Sequence, residues 1–198
     1  LNPEQLKKKA TNLRRNILSM LNEAGSGHPG GSLSAIDIMT VLYSNIMKHD
    51  PSNPQWQERD RFILSKGHIA PALYATLADC GYFESKELNT LRKYGSILQG
   101  HPDMHKTPGV EVSAGSLGQG LSVATGLALG ARSNNDDYRV YCMMGDGETQ
   151  EGQIWEAAMS AGHYKLDNLC AILDYNHLQI DGKVEDVMNI NPVQDKWL

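Results

Sequence analysis

The chain has 198 residues with a formal net charge of −5, which is enough for one α/β domain with a substantial core and leaves little room for a second. The acidic balance argues against nucleic acid as a partner, and the longest apolar region, 117–131, is too short and too rich in glycine to span a membrane. The N-terminus is typical of a charged helix rather than a signal peptide, so we expect a cytoplasmic protein. Its three cysteines have no metal-ligand spacing, which predicts reduced, buried thiols.

Helical periodicity dominates the first part of the chain. Asn2 and Gln5 predict a capping box at the start of a helix that runs to Ala24. A second capping box at Ser34 predicts a helix to Met47. The other elements predicted before the middle of the chain are a strand over 61–65, a helix that has Pro71 in its first turn and ends near Cys80, and a helix over 84–94.

Glycine followed directly by histidine occurs in three separate predicted loops, at His28, His68 and His101. Histidine is the side chain whose ordinary pKa lets it gain or lose a proton near neutral pH. A single loop histidine is usually only exposed, but three such pairs, two of them followed by proline, are hard to explain by packing. We expect the three histidines to share a cleft.

A glycine-rich turn over 113–120 precedes a helix predicted over 121–132. Glycines before a helix N-terminus suit a bound anion or a flat heterocycle, because the backbone can approach the ligand closely and its N–H groups point outward. Within the helix, Gly126 and Gly130 are explained more simply by close packing on a sheet.

Two apolar runs, Val140–Met144 and Leu169–Leu173, are typical of strands that are buried on both faces. The helix predicted between them, over 150–164, makes a strand–helix–strand crossover, which is the unit of a parallel sheet. Asp146 follows the first strand and Asn176 the second, so both side chains are expected at the same edge of the sheet. Beyond Gly182 the sequence predicts a loop.

The oxygen atoms of Asp146 and Asn176 suit a hard cation. Mg²⁺ held by a few protein oxygens commonly completes its coordination with phosphate oxygens and water. Gly147, beside Asp146, leaves room for a phosphate to approach the backbone. These features predict a diphosphate bridged to the protein by a metal ion, although Asp146 as a helix cap and Asn176 as a turn residue is the simpler alternative for each residue alone.

The sequence around these residues resembles transketolase. The resemblance rests on GDG followed by a distant Asn, within GDGETQEGQIWEAAMSAGHYKLDNLCAILDYNHLQIDG. It extends over SGHPGGSLSAIDIM, RDRFILSKGHIAPALYA, QGHPD and GSLGQGLSVATGLALGAR, and so covers almost the whole chain from Gly25 onward. It implies an α/β fold, namely a doubly wound, mostly parallel sheet with helices on both faces. Residues 1–198 would form a single thiamine-diphosphate-binding domain that is incomplete at its C-terminus.

The resemblance implies thiamine diphosphate and Mg²⁺ as cofactors, with Ca²⁺ or Mn²⁺ as substitute metals. Asp146 and Asn176 would bind the metal through their side chains, and Leu178 through its main-chain carbonyl. The remaining cofactor contacts that it implies are His68 and Gly147 for the diphosphate, Gly115 and Leu117 for the aminopyrimidine, and Ile180 for the thiazolium.

The same resemblance assigns the substrate side. His28 and His101 would face the reacting carbons and hydroxyls of a ketose phosphate, where imidazoles can donate, accept and shuttle protons. Glu151 and Glu156 match positions at a dimer interface where carboxylates link two active sites, and we place Glu151 with the catalytic residues and Glu156 with the cofactor-binding ones. The implied reaction is transfer of a two-carbon ketol unit to an aldose phosphate, as in the pentose phosphate pathway.

The chain also departs from full-length transketolases, which carry three domains in one polypeptide. The second domain supplies the glutamate that activates the aminopyrimidine, and no such segment is present here. We therefore expect the N-terminal subunit of a split transketolase, self-associating through the cofactor domain. A separate C-terminal subunit would supply the pyrimidine-binding domain, giving an α₂β₂ heterotetramer, and the chain alone is predicted to be inactive.

Other interpretations stay open. A 1-deoxyxylulose-5-phosphate synthase or the α subunit of a 2-oxoacid dehydrogenase also uses the GDG and Asn pattern, although DYNHLQIDG and SGHPGGS favour transketolase. A non-catalytic binding or regulatory protein of the same fold is a further alternative, against which the intact Asp146, Asn176 and three histidines argue.

Overall fold

The computed structural model describes residues 1–198, which form helices and a parallel β-sheet. The chain divides into two compact units. The first unit contains residues 1–60 and 67–115, and the second contains residues 61–66 and 116–198. The mixture of helices with a parallel sheet confirms the predicted α/β class.

The first unit is helical. Its three α-helices are α1 (Pro3–Ala24), α2 (Pro29–Val41) and α3 (Ala70–Cys80). Helix α1 packs against both α2 and α3, and α2 also packs against α3. Shorter turns complete the unit: a π-helical turn after α2 (Leu42–Ile46) and 3₁₀ turns at Gly67–Ile69 and Ser85–Thr90.

Helix α1 begins and ends as the sequence predicts. The Asn2 side chain accepts a hydrogen bond from the Gln5 main-chain N–H, and the Gln5 side chain accepts one from the Asn2 N–H, both at 2.9 Å. This reciprocal pair satisfies two N–H groups that lack helical partners. The stripe facing the core is formed by residues at helical spacing, which are Ala10, Leu13, Ile17 and Met20.

Two predicted helices of the first unit were placed wrongly. Helix α2 starts at Pro29 rather than after Ser34, because proline fixes φ near its helical value and needs no N–H partner in the first turn. The helix predicted over 84–94 is only a 3₁₀ turn. Leu91 leaves the helical region and Arg92 has a φ of +63°, so the backbone turns away where the apolar spacing would have continued the helix.

The second unit is built around a three-stranded sheet. Its strands are β1 (Arg61–Leu64), β2 (Val140–Gly145) and β3 (Leu169–Asp174), all parallel, with β2 in the centre. Helix α4 (Gly120–Asn134) packs on all three strands, and α5 (Gly152–His163) is the crossover that joins β2 to β3. The predicted strand–helix–strand unit is therefore confirmed.

The segment after β3 contains several short elements, and beyond Gly182 they replace the predicted loop. It forms a two-stranded antiparallel hairpin, β4 (Leu178–Gln179) with β5 (Gly182–Lys183), followed by the short helices α6 (Val184–Met188) and α7 (Val193–Trp197). The prediction failed because each element is only two to five residues long, too short to show a hydrophobic period.

Across the whole chain, no helix has the length and apolar character needed to cross a membrane.

The strands differ in burial in a way that the sequence did not show. Strand β2 is buried along its whole length, as predicted, whereas β3 lies at an edge of the sheet and leaves Cys170 and Ala171 exposed. The prediction of three buried thiols is therefore wrong. All three are free, but only Cys142 is buried, Cys80 is half-buried and Cys170 is exposed.

The glycines of α4 have two different environments. A Cβ at Gly120 would lie 2.4 Å from the Ser65 side chain, so only glycine allows the helix to start this close to the end of β1. In contrast, a Cβ at Gly126 or Gly130 would have no atom within 4 Å in this chain. The prediction that these two glycines serve close packing on the sheet is therefore wrong.

We expect opposite stability changes from two Gly→Ala substitutions in α4. Gly120→Ala should lower the free energy of unfolding by about 1–3 kcal/mol, because the methyl group overlaps Ser65. Gly126→Ala should raise it by about 0.5–1 kcal/mol, because alanine loses less backbone freedom in a helix. Urea denaturation of the two variants and the parent measures both, and equal changes of the same sign would contradict the environments described here.

Candidate functional site

In the second unit, the turn at the end of β2 holds a buried carboxylate. Asp146 is 2% exposed. Its Oδ1 accepts a hydrogen bond from the Gly147 main-chain N–H at 2.9 Å, and its Oδ2 accepts one from the His177 N–H at 2.7 Å. The loop that follows β3 is thus bonded to the turn that follows β2, as expected for the carboxyl ends of neighbouring parallel strands.

The same loop supplies two more oxygen atoms. Asn176 is half-buried, and its Oδ1 accepts a hydrogen bond from the Leu178 N–H at 3.0 Å. Together with the Leu178 carbonyl, the set comprises one carboxylate, one amide oxygen and one main-chain oxygen, which are hard donors of the kind that Mg²⁺ takes. No group of three or more His, Cys, Asp or Glu side chains in the chain could hold a metal ion. A set with one acidic side chain fits a metal that also takes oxygens from a phosphorylated cofactor.

The loop after Asn176 has an unusual backbone. His177 and Ile180 have φ values of +64° and +52°, a region that a β-branched residue such as isoleucine rarely adopts. The hairpin is tethered by Gln179, whose side-chain amide exchanges two hydrogen bonds with that of Gln150, at 2.7 and 2.9 Å. The Ile180 side chain is 93% exposed at the tip. The fold therefore presents an apolar side chain at a defined position.

Gly147 lies under this hairpin. A Cβ at this position would be 2.9 Å from the Gln179 side chain. There is therefore no room for a side chain at residue 147 in this arrangement, and its contact to a phosphate through the backbone stays a prediction.

A buried ion pair lies beneath the strand ends. Lys66, just beyond β1, places its Nζ 2.9 Å from Oδ2 of Asp174 at the end of β3, and both side chains are almost fully buried. A Cβ built on Gly145 would be 3.7 Å from the Lys66 Nζ, so the pair lies against the end of the central strand. This pair was not predicted from the sequence. The available signal was a lysine and an aspartate, each following a predicted strand.

Two of the three histidines that follow glycine in predicted loops are in ring contact in the first unit. The rings of His28 and His68 meet edge to face with their centroids 5.3 Å apart. The positive charge of His28 contributes to lowering the pKa of His101, and Gly115 lies beside His101, since a Cβ there would be 3.5 Å from the ring. His28 thus interacts with both His68 and His101, and the cleft that the three were expected to share stays a prediction. His28 and His101 are exposed and His68 is half-buried.

The surroundings of His101 lower the pKa of its imidazole. The main cause of its lowered pKa is partial loss of hydration, followed by the positive charges of Arg92 and His28. Arg92 stands next to Gly100 and donates a hydrogen bond to Ser26 Oγ at 3.2 Å. A neutral imidazole can accept a hydrogen bond or a proton from a hydroxyl group.

The remaining predicted site residues belong to the second unit. Leu117 is 36% exposed. Glu151 is the residue before α5 and Glu156 lies on α5, and both carboxylates are exposed. Both glutamates therefore face solvent in this chain, and their role at an interface stays a prediction.

A separate cavity of about 830 Å³ in the second unit contains none of the predicted site residues. It lies along α5 and is lined mainly by apolar side chains, among them Trp155, Met159 and Leu166. Lys165, Asp167 and Lys196 also line it, so its walls carry charged side chains beside the apolar ones.

Nearly the whole chain matches one protein family. Residues 6–197 match the family model described as transketolase, thiamine diphosphate binding domain. The chain is 48% identical over 192 residues to the 6-deoxy-6-sulfo-D-fructose transketolase subunit of Clostridium sp. (strain MSTE9), covering 97% of this chain and 70% of that protein. It is 45% identical over 194 residues to an apulose-4-phosphate transketolase subunit of Phocaeicola vulgatus, covering 98% and 69% respectively.

Longer transketolases are matched only in part. The human transketolase is 48% identical over 176 residues, which cover 88% of this chain and 28% of that protein. Among solved structures, the transketolase of Campylobacter jejuni superposes with a TM-score of 0.93 at 37% identity, covering all of this chain and 32% of that one. The transketolase from Leishmania mexicana gives a TM-score of 0.91 at 35% identity, covering 97% and 30%. The chain thus spans under a third of these longer proteins.

We expect Arg92→Gln to raise the pKa of His101. The substitution removes one of the positive charges that disfavour the imidazolium form, so the imidazole should become protonated at a higher pH than in the parent. Titration of the His101 ring signals by NMR measures the change. Arg15→Gln, an exposed arginine of α1 that is not among the causes of the shift, is the control, and an unchanged His101 pKa in Arg92→Gln would contradict the assignment.

Proposed function

This chain belongs to the transketolase family through its thiamine-diphosphate-binding domain, and from that premise we propose that it is the N-terminal subunit of a split transketolase. Its relatives from Clostridium and Phocaeicola are named as transketolase subunits and are matched over nearly all of this chain. The proposed reaction moves a two-carbon unit from a ketose phosphate to an aldose phosphate. The relatives are named transketolases, which favours this activity over the synthase and dehydrogenase alternatives.

The observation that carries the proposal is the bond between the Asp146 carboxylate and the His177 main chain. It places a carboxylate beside the loop that provides an amide oxygen and a main-chain carbonyl. In the proposal Asp146, Asn176 and Leu178 hold Mg²⁺, and Gly147 contacts the diphosphate through its backbone. When bound, thiamine diphosphate supplies the reactive carbon and the electron sink that two-carbon transfer requires.

The other residues act through binding and proton handling. His68, Gly115 and Leu117 contact the cofactor in the proposal, and the exposed Ile180 packs against its thiazolium. His28 and His101 bind the sugar hydroxyls. Since the pKa of His101 is lowered, its imidazole stays neutral down to a lower pH than an ordinary histidine and can accept a hydrogen bond from a hydroxyl.

The partner in this proposal is a C-terminal transketolase subunit. It supplies the pyrimidine-binding domain and the carboxylate that activates the cofactor. The exposed Glu151 and Glu156 are available for self-association into an α₂β₂ assembly. A location in the cytoplasm and a place in the pentose phosphate pathway stay predictions.

The direct test is reconstitution. We expect the chain mixed with a C-terminal transketolase subunit, thiamine diphosphate and Mg²⁺ to transfer a two-carbon unit from xylulose 5-phosphate to an aldose phosphate, and the chain alone to give no turnover. A coupled assay of the triose phosphate product measures both. Full turnover by the chain without a partner would overturn the split-subunit proposal, and no turnover with the partner would overturn the activity.

We expect Asp146→Ala to remove metal-dependent cofactor binding. The substitution deletes the one carboxylate of the proposed ligand set and also the two hydrogen bonds that hold the loop after β3. Isothermal titration of the reconstituted complex with thiamine diphosphate, with Mg²⁺ and with a chelator, should show the affinity of the variant in Mg²⁺ falling to the level of the parent in chelator. Asp136→Ala, in the exposed turn before β2, is the control, and an unchanged affinity in Asp146→Ala would rule out the metal assignment.

A further inference from the structure

One buried acidic group in the second unit has no part in the mechanism above. Glu148, in the 3₁₀ turn after β2, is 2% exposed. Its Oε1 accepts hydrogen bonds from the Gly118 main-chain N–H at 2.9 Å and from the Ser65 hydroxyl, and its Oε2 accepts one from the Gly145 N–H at 3.0 Å. A single carboxylate therefore joins three segments that are distant in sequence.

Ser65 extends this connection to the helix that follows. Its Oγ accepts a hydrogen bond from the N–H of Gly120 at 3.1 Å, the first residue of α4, while its hydroxyl hydrogen goes to Glu148. Two N–H groups of the loop Ser116–Gly120 are thus bonded to Glu148, one directly and one through Ser65. The loop can lie this close to the turn after β2 because residues 118 and 120 are both glycine. A Cβ on Gly118 would be 2.7 Å from the Glu151 side chain.

The loop depends on Glu148 more than the turn after β2 does. The turn has other supports, because Gly145 pairs with Asp174 in the β2–β3 ladder and Asp146 is bonded to His177. The loop has one further side-chain tie, between Gln119 and Gln153 at 2.9 Å, but both side chains are at least partly exposed, where water competes for the same bonds.

We propose that Glu148 is a positioning residue that fixes the loop Ser116–Gly120 relative to the turn Gly145–Gly147. The inference rests on the proposed function, in which Leu117 of this loop lines the aminopyrimidine and Gly147 of the turn contacts the diphosphate. Glu148 touches neither the cofactor nor the substrate in this assignment. It sets the separation between the two parts of the second unit that contact opposite ends of one molecule.

This role differs from that of a group which only stabilises the fold. If Glu148 sets the separation, its loss weakens a ligand that spans both segments and spares a ligand that touches only the turn. A general loss of stability would weaken both ligands alike. Thiamine diphosphate and inorganic diphosphate, each with Mg²⁺, are the two probes that separate these cases.

The test uses Glu148→Gln in the complex with the C-terminal subunit. Glutamine keeps the shape of the side chain but turns one oxygen into an NH₂ group, which faces a main-chain or hydroxyl donor and cannot accept from it. We expect the dissociation constant for thiamine diphosphate to rise about 10-fold, since a hydrogen bond to a buried charged group is lost. The dissociation constant for inorganic diphosphate should stay within about 2-fold of the parent.

Glu111→Gln is the matched control. Glu111 is a partly buried carboxylate of the first unit, paired with Arg59 at 2.6 Å, and belongs to no part of the proposed site. It should lower the melting temperature without changing the ratio of the two dissociation constants. Should Glu148→Gln not fold, Ser65→Ala provides the second variant, because it removes the link to Gly120 and keeps that to Gly118.

The outcomes are distinct. A rise for thiamine diphosphate alone, in Glu148→Gln or Ser65→Ala, supports the positioning role. Equal weakening of both ligands, or no change in either, overturns it while leaving the proposed function intact. A parent complex that binds inorganic diphosphate but not thiamine diphosphate overturns the proposed function, and this inference with it.

Discussion

The second unit depends on charges that it buries at the carboxyl ends of its parallel strands. Removing a charged group from water is costly unless it finds a partner, and here each one does. Lys66 and Asp174 form an ion pair that connects the outer strands past the end of the central one. The Glu148 carboxylate accepts hydrogen bonds from main-chain N–H groups instead of pairing with a cation. Because each partner lies on a different segment, satisfying these charges also fixes where the segments are.

The same principle explains why the proposed ligand residues are held so firmly. Asp146 is oriented by two main-chain N–H groups, so its remaining oxygen lone pairs point in set directions. In the hairpin after β3, Ile180 has a left-handed backbone conformation. The hydrogen-bonded side-chain amides of Gln150 and Gln179 hold the hairpin in place at its base. Backbone strain of this kind persists only where neighbouring contacts over-determine it. Rigidity at the strand ends is thus supplied by polar contacts, while the apolar core lies deeper in the sheet.

Much of this arrangement could be predicted from the sequence, and the failures have physical causes. The crossover from β2 to β3 was predictable because both strands are short apolar runs and the segment between them has helical spacing, and that alone brought Asp146 and Asn176 to one edge. The exposure of β3 was not, since it depends on which elements cover each face of the strand, and residues within the strand do not encode that. Glu148 was missed because a glutamate just after a strand normally lies in solvent, and only the tertiary fold surrounds it with donors. The early start of α2 was hidden by glycines that resembled a loop, although Pro29 was the signal that could have revealed it.

Cys142 on β2 and Cys170 on β3 lie in adjacent strands, so their reactivity reports on opening of the sheet. Cys170 lies exposed on β3, and the partner of Cys142 on that strand is Ala171, the next residue. Burial also raises the pKa of the Cys142 thiol, which suppresses the reactive thiolate. An alkylating reagent therefore meets Cys170 in the closed sheet and Cys142 only after β2 has been uncovered. The ratio of the two alkylation rates measures how often the central strand is exposed, without any mutation being introduced.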